Sequence, residues 1–171
     1  HTGSLIFTLL NIMKPIKIEI LAELLQMDEL TAEDRLLVEQ AKQATANSYA
    51  RYSHFYVGAA LRLQDGRIVM GANQENAAFP SGLCAERTAI FSAQAQWPDQ
   101  PVVALAIAAR NEQGFVATPV PPCGACRQVM LEVEDRYKQP IRILLYGTEG
   151  VYRIASVKDL LPFTFVDENM R

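Results

Sequence analysis

The three cysteines of this chain are the residues whose type and spacing point most directly to chemistry. Cys123 and Cys126 form a C-x-x-C pair, and Cys84 begins the sequence Cys-Ala-Glu-Arg. Two thiolates with this spacing in the first turn of a helix can bind one metal ion, although a C-x-x-C pair alone would equally suit a redox dithiol. Because all three cysteines are predicted at helix starts, where a thiolate is stabilised, we favour a shared zinc ion.

The number of available ligands predicts a zinc site with one open position. A structural zinc ion is held by four protein ligands, whereas a catalytic zinc ion keeps one position for water. Besides the cysteines, the chain has two histidines, His1 at the terminus and His54 ahead of a predicted strand. A lone histidine in that setting is more often solvated or hydrogen-bonded than a ligand, so we assign the fourth position to water.

Glu86 and Arg87 follow the first cysteine closely enough to serve such a site. A carboxylate there can take a proton from zinc-bound water and pass it to a substrate. An arginine that donates to the thiolates would draw negative charge away from the metal. Both residues also have structural interpretations, since an acid in a first turn complements the helix dipole and an exposed helix arginine needs no partner.

The secondary-structure signals predict an α/β chain in which both cysteine motifs begin helices. Capping residues and apolar spacing predict helices over about 32–48, 83–94 and 124–137. Alternating apolar residues on either side of Asp65-Gly66 predict a β-hairpin. The predicted strands span 55–63, 68–72, 102–109, 141–146 and 151–155. Helices and strands thus interleave, which is typical of a layered α/β domain.

Composition and charge limit the classes of protein. A chain of 171 residues, 50% of them hydrophobic, can bury a core without disulfides, and we expect one domain over 13–171. Residues 1–12 are expected to be a tag remnant or an upstream tail. The net charge of −3, without a basic cluster, argues against a nucleic acid partner. The longest apolar run, 102–109, is too short to span a membrane, and three unpaired thiols predict a cytoplasmic protein with a small-molecule ligand.

Taken together, these residues resemble the cytidine deaminases of the compact, homotetrameric type in which all zinc ligands are cysteines. The resemblance extends from about residue 48 to 165. It rests on five motifs, at residues 52–61, 73–77, 84–89, 122–126 and 160–162. It implies a three-layer α/β/α fold with a mixed sheet of about five strands. The implied activity is the zinc-dependent hydrolytic deamination of cytidine and deoxycytidine to uridine, deoxyuridine and ammonia, in pyrimidine salvage.

The resemblance also implies a role for each matching position near the metal. Cys84, Cys123 and Cys126 would hold one zinc ion per chain, and Glu86 would carry the proton from water to the pyrimidine N3 and the leaving amino group. Arg87, from the charge argument above, would tune the charge of the metal site. The pair that binds the ribose hydroxyls would be Asn73 and Glu75, and backbone N–H groups around Ala85 would hold the base.

This chain has aromatic residues at the family's aromatic positions, and it departs from the family pattern at two residues. Phe55 matches the aromatic residue that walls the base pocket, and Phe165 matches the one that stacks on the base from a neighbouring subunit. Phe79 stands where relatives usually carry tyrosine, so the hydroxyl is missing, and Arg51 replaces a usual proline. Neither departure involves a metal ligand, but both bear on substrate affinity and on contacts between subunits.

Two other classes of protein share parts of this pattern. A blasticidin S deaminase would have the same three cysteines and glutamate, but it accepts a bulkier cytosine derivative, whereas the Asn73 and Glu75 pair favours a plain nucleoside. A non-enzymatic zinc-binding or RNA-binding module is disfavoured by the open metal position and by the acidic net charge.

Overall fold

The computed structural model describes residues 13–171, so the expectation for residues 1–12 falls outside the described range. Within this range, seven strands form one mixed sheet, and three α-helices cover it. The strands are β1 (Ala22–Leu25), β2 (Tyr56–Leu63), β3 (Ile68–Ala72), β4 (Val102–Asn111), β5 (Gly114–Phe115), β6 (Arg142–Gly147) and β7 (Gly150–Ile154). The helices are α1 (Ala32–Ala44), α2 (Ala85–Gln96) and α3 (Gly124–Tyr137). Short 3-10 helices span Met27–Glu29, Thr45–Asn47, Val157–Leu160 and Asp167–Met170.

The strand order of the sheet is β1-β7-β6-β4-β2-β3, with β5 paired to β4. Strands β4 and β6 are parallel, and every other described pair is antiparallel. The sheet within residues 13–171 has seven strands rather than the predicted number of about five. The two missed strands are β1, which lacks alternation and forms by pairing with β7, and β5, whose two residues are too few to show a period.

The sheet is covered on both faces, which confirms the α/β class and the three-layer arrangement. On one face, α1 buries Leu37 and Ala41 against alanines of the central strands, and Gly58 lets the helix approach so closely that a Cβ there would lie 2.1 Å from the Ala41 carbonyl oxygen. On the other face, α2 and α3 bury Ile90 and Met130 against large aliphatic residues. The alternation of alanine with leucine and isoleucine along β4 explains this difference, since successive side chains point to opposite faces.

Two glycines set the positions of the segments that carry the cysteines. A Cβ on Gly71 of β3 would lie 2.5 Å from both the Ala85 carbonyl oxygen and the Ala89 nitrogen, so the first turns of α2 rest directly on the strand. A Cβ on Gly147 would lie 2.2 Å from the Ala117 carbonyl oxygen, so the segment leading to Cys123 crosses the end of β6 equally closely. The sheet thereby fixes both helix starts. Over residues 13–171, no helix combines the length and the apolar character needed to cross a membrane.

Candidate metal and catalytic site

The three cysteines meet where α2 and α3 begin. Cys84 and Cys123 are the N-caps of these helices, and Cys126 lies in the first turn of α3. All three Sγ atoms lie within 4.8 Å of one another, and those of Cys84 and Cys123 are 3.8 Å apart. Two thiolates at tetrahedral positions on one zinc ion are about 3.8 Å apart, given Zn–S bonds of about 2.3 Å. The donor atoms and their separation therefore fit a single zinc ion.

The surroundings of the thiols favour negative charge on the sulfur atoms. The Nη2 atom of Arg87 donates to Cys84 Sγ at 3.4 Å. The Nε atom of Arg87 is buried and has no hydrogen-bond partner within residues 13–171. Hydrogen bonds from Cys126 and Arg87 lower the pKa of Cys84 to about 5, and the same contact with Cys84, together with burial, raises the pKa of Cys126. Because metal ligands must be deprotonated thiolates, the Arg87 guanidinium beside Cys84 Sγ favours the form that binds zinc.

Glu86 shares a hollow with the thiols although it is only two residues from Cys84. Inside a helix, residues two apart point about 200° away from each other. Cys84, as N-cap, has extended backbone with φ −71° and ψ 156°, so both side chains reach the same hollow. Glu86 is 4% exposed, and its burial raises the pKa of the carboxyl group. A buried carboxyl group of this kind, next to metal ligands, is typical of a general acid or base.

Two adjoining hollows lead to the thiols. The inner hollow has a volume of about 200 Å³ and is mainly apolar, and the outer one has about 630 Å³ and is open to solvent. Asn73 and Cys84 line both, so the two hollows adjoin at these residues. The inner hollow is also lined by Val57, Ala85, Glu86, Ile107, Val120, Pro121 and Cys123. The remaining outer lining is Tyr52, Gln74, Glu75, Asn76, Phe79, Pro80, Gly82, Leu83 and Arg87.

Asn73 is anchored where the hollows meet. Its Oδ1 atom accepts from the Val57 N–H at 2.9 Å, and its Nδ2 atom donates to the Phe55 carbonyl at 2.9 Å. A carboxamide has two donors and two acceptor sites, so one of each remains for a ligand. The side chain therefore fixes the start of β2 and still presents polar atoms to the hollow.

Glu75 is oriented by the backbone of a neighbouring turn. Its Oε1 atom accepts from the N–H groups of Tyr52 and Ser53, at 2.9 and 3.1 Å. These bonds, the one from Ser53 first, lower the pKa of the Glu75 carboxyl group. Glu75 is consequently an ionised acceptor at neutral pH, held in a single orientation on the wall of the outer hollow.

Of the three aromatic residues predicted to bind substrate, only Phe79 lines one of the two hollows. Phe79 lines the outer hollow and is 97% exposed. Phe165 is 57% exposed and lines neither hollow of its own chain; its carbonyl accepts from Gln128 Nε2 on α3. Phe55 also lines neither hollow, and its contact with the site is the carbonyl bond to Asn73.

Sequence reasoning missed the apolar lining of the inner hollow. Val57 and Ile107 come from β2 and β4, and Val120 and Pro121 immediately precede the motif of Cys123. Val57 lies in the strand predicted over 55–63, and neither it nor the residues before Cys123 carries a reactive group that would mark a site. Closeness to a predicted ligand in the sequence was the signal that could have identified Val120 and Pro121.

The fold and the site together define a zinc-binding α/β domain with a buried glutamate beside the thiols. A family model described as the zinc-binding region of cytidine and deoxycytidylate deaminases matches residues 31–138. This match covers more than half of the chain. The protein belongs to the cytidine and deoxycytidylate deaminase family.

Individual relatives agree with this assignment. The chain is 41% identical over 136 residues to a cytidine deaminase of Halalkalibacterium halodurans, covering 80% of this chain and 96% of that protein. It is 39% identical to one of Sporosarcina psychrophila, covering 78% of this chain and 92% of that one. The crystal structure of a cytidine deaminase from Burkholderia pseudomallei is 41% identical and has a TM-score of 0.67, covering 80% of this chain and 100% of the other.

We expect Arg87→Ala to weaken zinc binding by about 10- to 100-fold, as is usual when a residue that contacts metal ligands is lost. The guanidinium donates to Cys84 Sγ at 3.4 Å, so its removal leaves the thiolates less well stabilised. Competition with a chelator measures the affinity. Arg136→Ala on the last turn of α3 is the control, with no expected change. Equal zinc affinity in the Arg87→Ala and unmodified proteins would contradict the role of Arg87.

Proposed function

We propose that this protein catalyses the hydrolytic deamination of cytidine and deoxycytidine to uridine and deoxyuridine, releasing ammonia. The observation that carries this proposal is the buried Glu86 carboxyl group in the hollow formed with the thiols of Cys84 and Cys123. Relatives named cytidine deaminase cover about four-fifths of the chain, which supports the same reaction.

The inner hollow is suited to the pyrimidine ring. Val57, Ile107 and Pro121 provide apolar walls, and the ring is held near the N-terminus of α2, where backbone N–H groups such as that of Ala85 are free to donate. These walls also exclude water other than the reactant. The zinc ion that Cys84, Cys123 and Cys126 would hold supplies the Lewis acidity that makes water a nucleophile near neutral pH.

Glu86 is the proton carrier of the proposed reaction. It takes a proton from the attacking water and delivers it to ring N3 while the water oxygen bonds to C4. It then transfers the second proton of that water to the exocyclic amino group, the C4–N bond breaks, and ammonia leaves. Because burial raises the pKa of Glu86, the protonated form that exists between taking each proton and delivering it is stabilised.

Asn73 and Glu75 would bind the sugar. The free donor and acceptor of Asn73 lie at the junction of the two hollows, and the oriented carboxylate of Glu75 lines the outer one. An ionised carboxylate accepts strongly from hydroxyl groups. In this proposal the base occupies the inner hollow and the ribose occupies the outer one.

Subunit contacts would complete the pocket. We infer a homotetramer in which Phe165 stacks on the base bound by a neighbour and Phe79 packs across the interface. Both rings are exposed in the single chain, Phe165 at 57% and Phe79 at 97%, so each is accessible to a neighbouring subunit. The inferred setting is the cytoplasm, where the enzyme would serve pyrimidine salvage.

The zinc-loaded protein should be incubated with cytidine, deoxycytidine, dCMP and blasticidin S, with the loss of cytosine absorbance followed over time. We expect turnover of cytidine and deoxycytidine. Turnover of blasticidin S alone would replace the proposed function with that of a blasticidin S deaminase, and the absence of turnover with all four compounds would show that the proposal is wrong.

A further inference from the structure

The N-terminal arm, defined here as residues 13–21, takes no part in the site described above. It leads into β1, the outermost strand of the sheet next to β7, and it has no regular secondary structure. Every residue of the arm is exposed. The family match begins only at residue 31, so the arm is an addition to the part of the chain that the family defines.

The arm has the pattern of a strand with one apolar face. Ile16, Ile18 and Ile20 alternate with Lys17 and Glu19, and a period of two places the three isoleucines on the same side of an extended chain. These isoleucines are 78%, 48% and 54% exposed. An exposed row of β-branched residues beside a sheet edge favours pairing with another strand.

The order of charges in the arm is complementary to that of a second copy of the arm running antiparallel to it. If two copies pair antiparallel with Ile18 opposite Ile18, each Lys17 faces Glu19 of the second copy, and each Ile16 faces Ile20. Such a pairing is isologous, as a two-fold dimer requires. Opposite charges and β-branched residues facing each other across strands are both stabilising.

We propose that the arm pairs with the arm of a second copy of this chain, as an antiparallel two-stranded ribbon centred on Ile18. The charge order favours a second copy, because antiparallel pairing with an identical arm brings each Lys17 opposite a Glu19. Within one chain, Lys17 Nζ already lies 2.6 Å from Glu19 Oε1. Pairing of two arms therefore brings both lysines and both glutamates into one group of four alternating charges. The ribbon displaces no described strand, since the arm pairs with none of the strands within residues 13–171.

Disulfide trapping tests the register of this ribbon. Ile18→Cys in the zinc-loaded protein places two thiols opposite each other, so mild oxidation should give a covalent dimer on a non-reducing gel. Met13→Cys is the matched control, because Met13 is 70% exposed but the two copies of this residue would be about 34 Å apart in the ribbon. The unmodified chain controls for the native cysteines. Equal dimer yields from the two variants, or no dimer from Ile18→Cys, would overturn the proposal.

Charge exchange tests the partner. Lys17→Glu and Glu19→Lys should each weaken association about tenfold, because each creates two pairs of like charges across the ribbon. The double variant Lys17→Glu/Glu19→Lys restores both attractions and should associate like the original chain, with each combination measured in the Ile18→Cys background as the rate of covalent dimer formation. If the double variant associates no better than the single ones, the partner is not a second arm. Neither experiment uses enzymatic activity, so its outcome is independent of the proposed function.

Discussion

Glu86→Gln is expected to lower the rate of cytidine deamination by about 10²- to 10⁴-fold, the usual effect of losing a general acid or base. Glutamine keeps the shape of the side chain but cannot carry the proton between water, ring N3 and the amino group. The carboxyl group is 4% exposed, so bulk water does not readily replace it as a proton carrier. Steady-state kinetics with cytidine measure the loss.

Zinc content separates a catalytic role of Glu86 from a structural one. The Glu86→Gln protein should still bind one zinc ion per chain, because the three thiols that form the cluster are unchanged. Glu132→Gln is the matched control, since Glu132 is an exposed glutamate on α3 and should keep both zinc and full activity. Loss of zinc from Glu86→Gln would mean that this residue is a ligand or a structural support.

Gly71→Ala is expected to destabilise the protein and disturb the metal site together. The added Cβ would lie 2.5 Å from both the Ala85 carbonyl oxygen and the Ala89 nitrogen. Both are backbone atoms, so the clash cannot be relieved by a side-chain rotation and the first turns of α2 must move. Such overpacking costs about 1–3 kcal/mol of unfolding free energy. Because Cys84 and Glu86 lie at the start of this helix, zinc affinity and deamination rate should also fall.

Thermal unfolding, zinc titration and deamination kinetics measure these effects, and Gly124→Ala is the matched control variant. Gly124 lies between the two cysteines of α3, yet a Cβ there would meet nothing within 4 Å. That variant should therefore retain its zinc and gain up to about 1 kcal/mol from the higher helix propensity of alanine. A Gly71→Ala protein that unfolds and binds zinc like the unmodified chain would show that α2 does not depend on this close approach.

Local signals in the sequence were sufficient for most of the fold. The three predicted helices and the hairpin at Asp65-Gly66 are confirmed, although the first helix ends at Ala44 rather than near residue 48 and the second begins at Ala85. Periodicity and capping residues act within one or two turns, so they can be read from neighbours in the chain. Strand β1 was missed because its formation depends on β7, more than 120 residues away.

The chemistry of the site was likewise available from residue types. Three cysteines without a further predicted ligand, and a glutamate two residues after one of them, indicated a metal site and a proton carrier before any geometry was known. These properties belong to the side chains themselves and to their spacing along the chain. The assignment of zinc agrees with the family to which the chain belongs.

Tertiary structure alone decided how these residues meet. Gly71 lies against α2, and Gly147 lies against the segment before Cys123. These two contacts bring the starts of α2 and α3 together, so the three cysteine Sγ atoms lie within 4.8 Å of one another. The extended backbone of Cys84 lets Glu86 face the same hollow. The apolar walls of that hollow come from separate strands and a loop, which no local pattern relates. The sequence therefore determined which chemistry is available, and long-range contacts determined its geometry, because distance in space is set by the sheet rather than by neighbours in the chain.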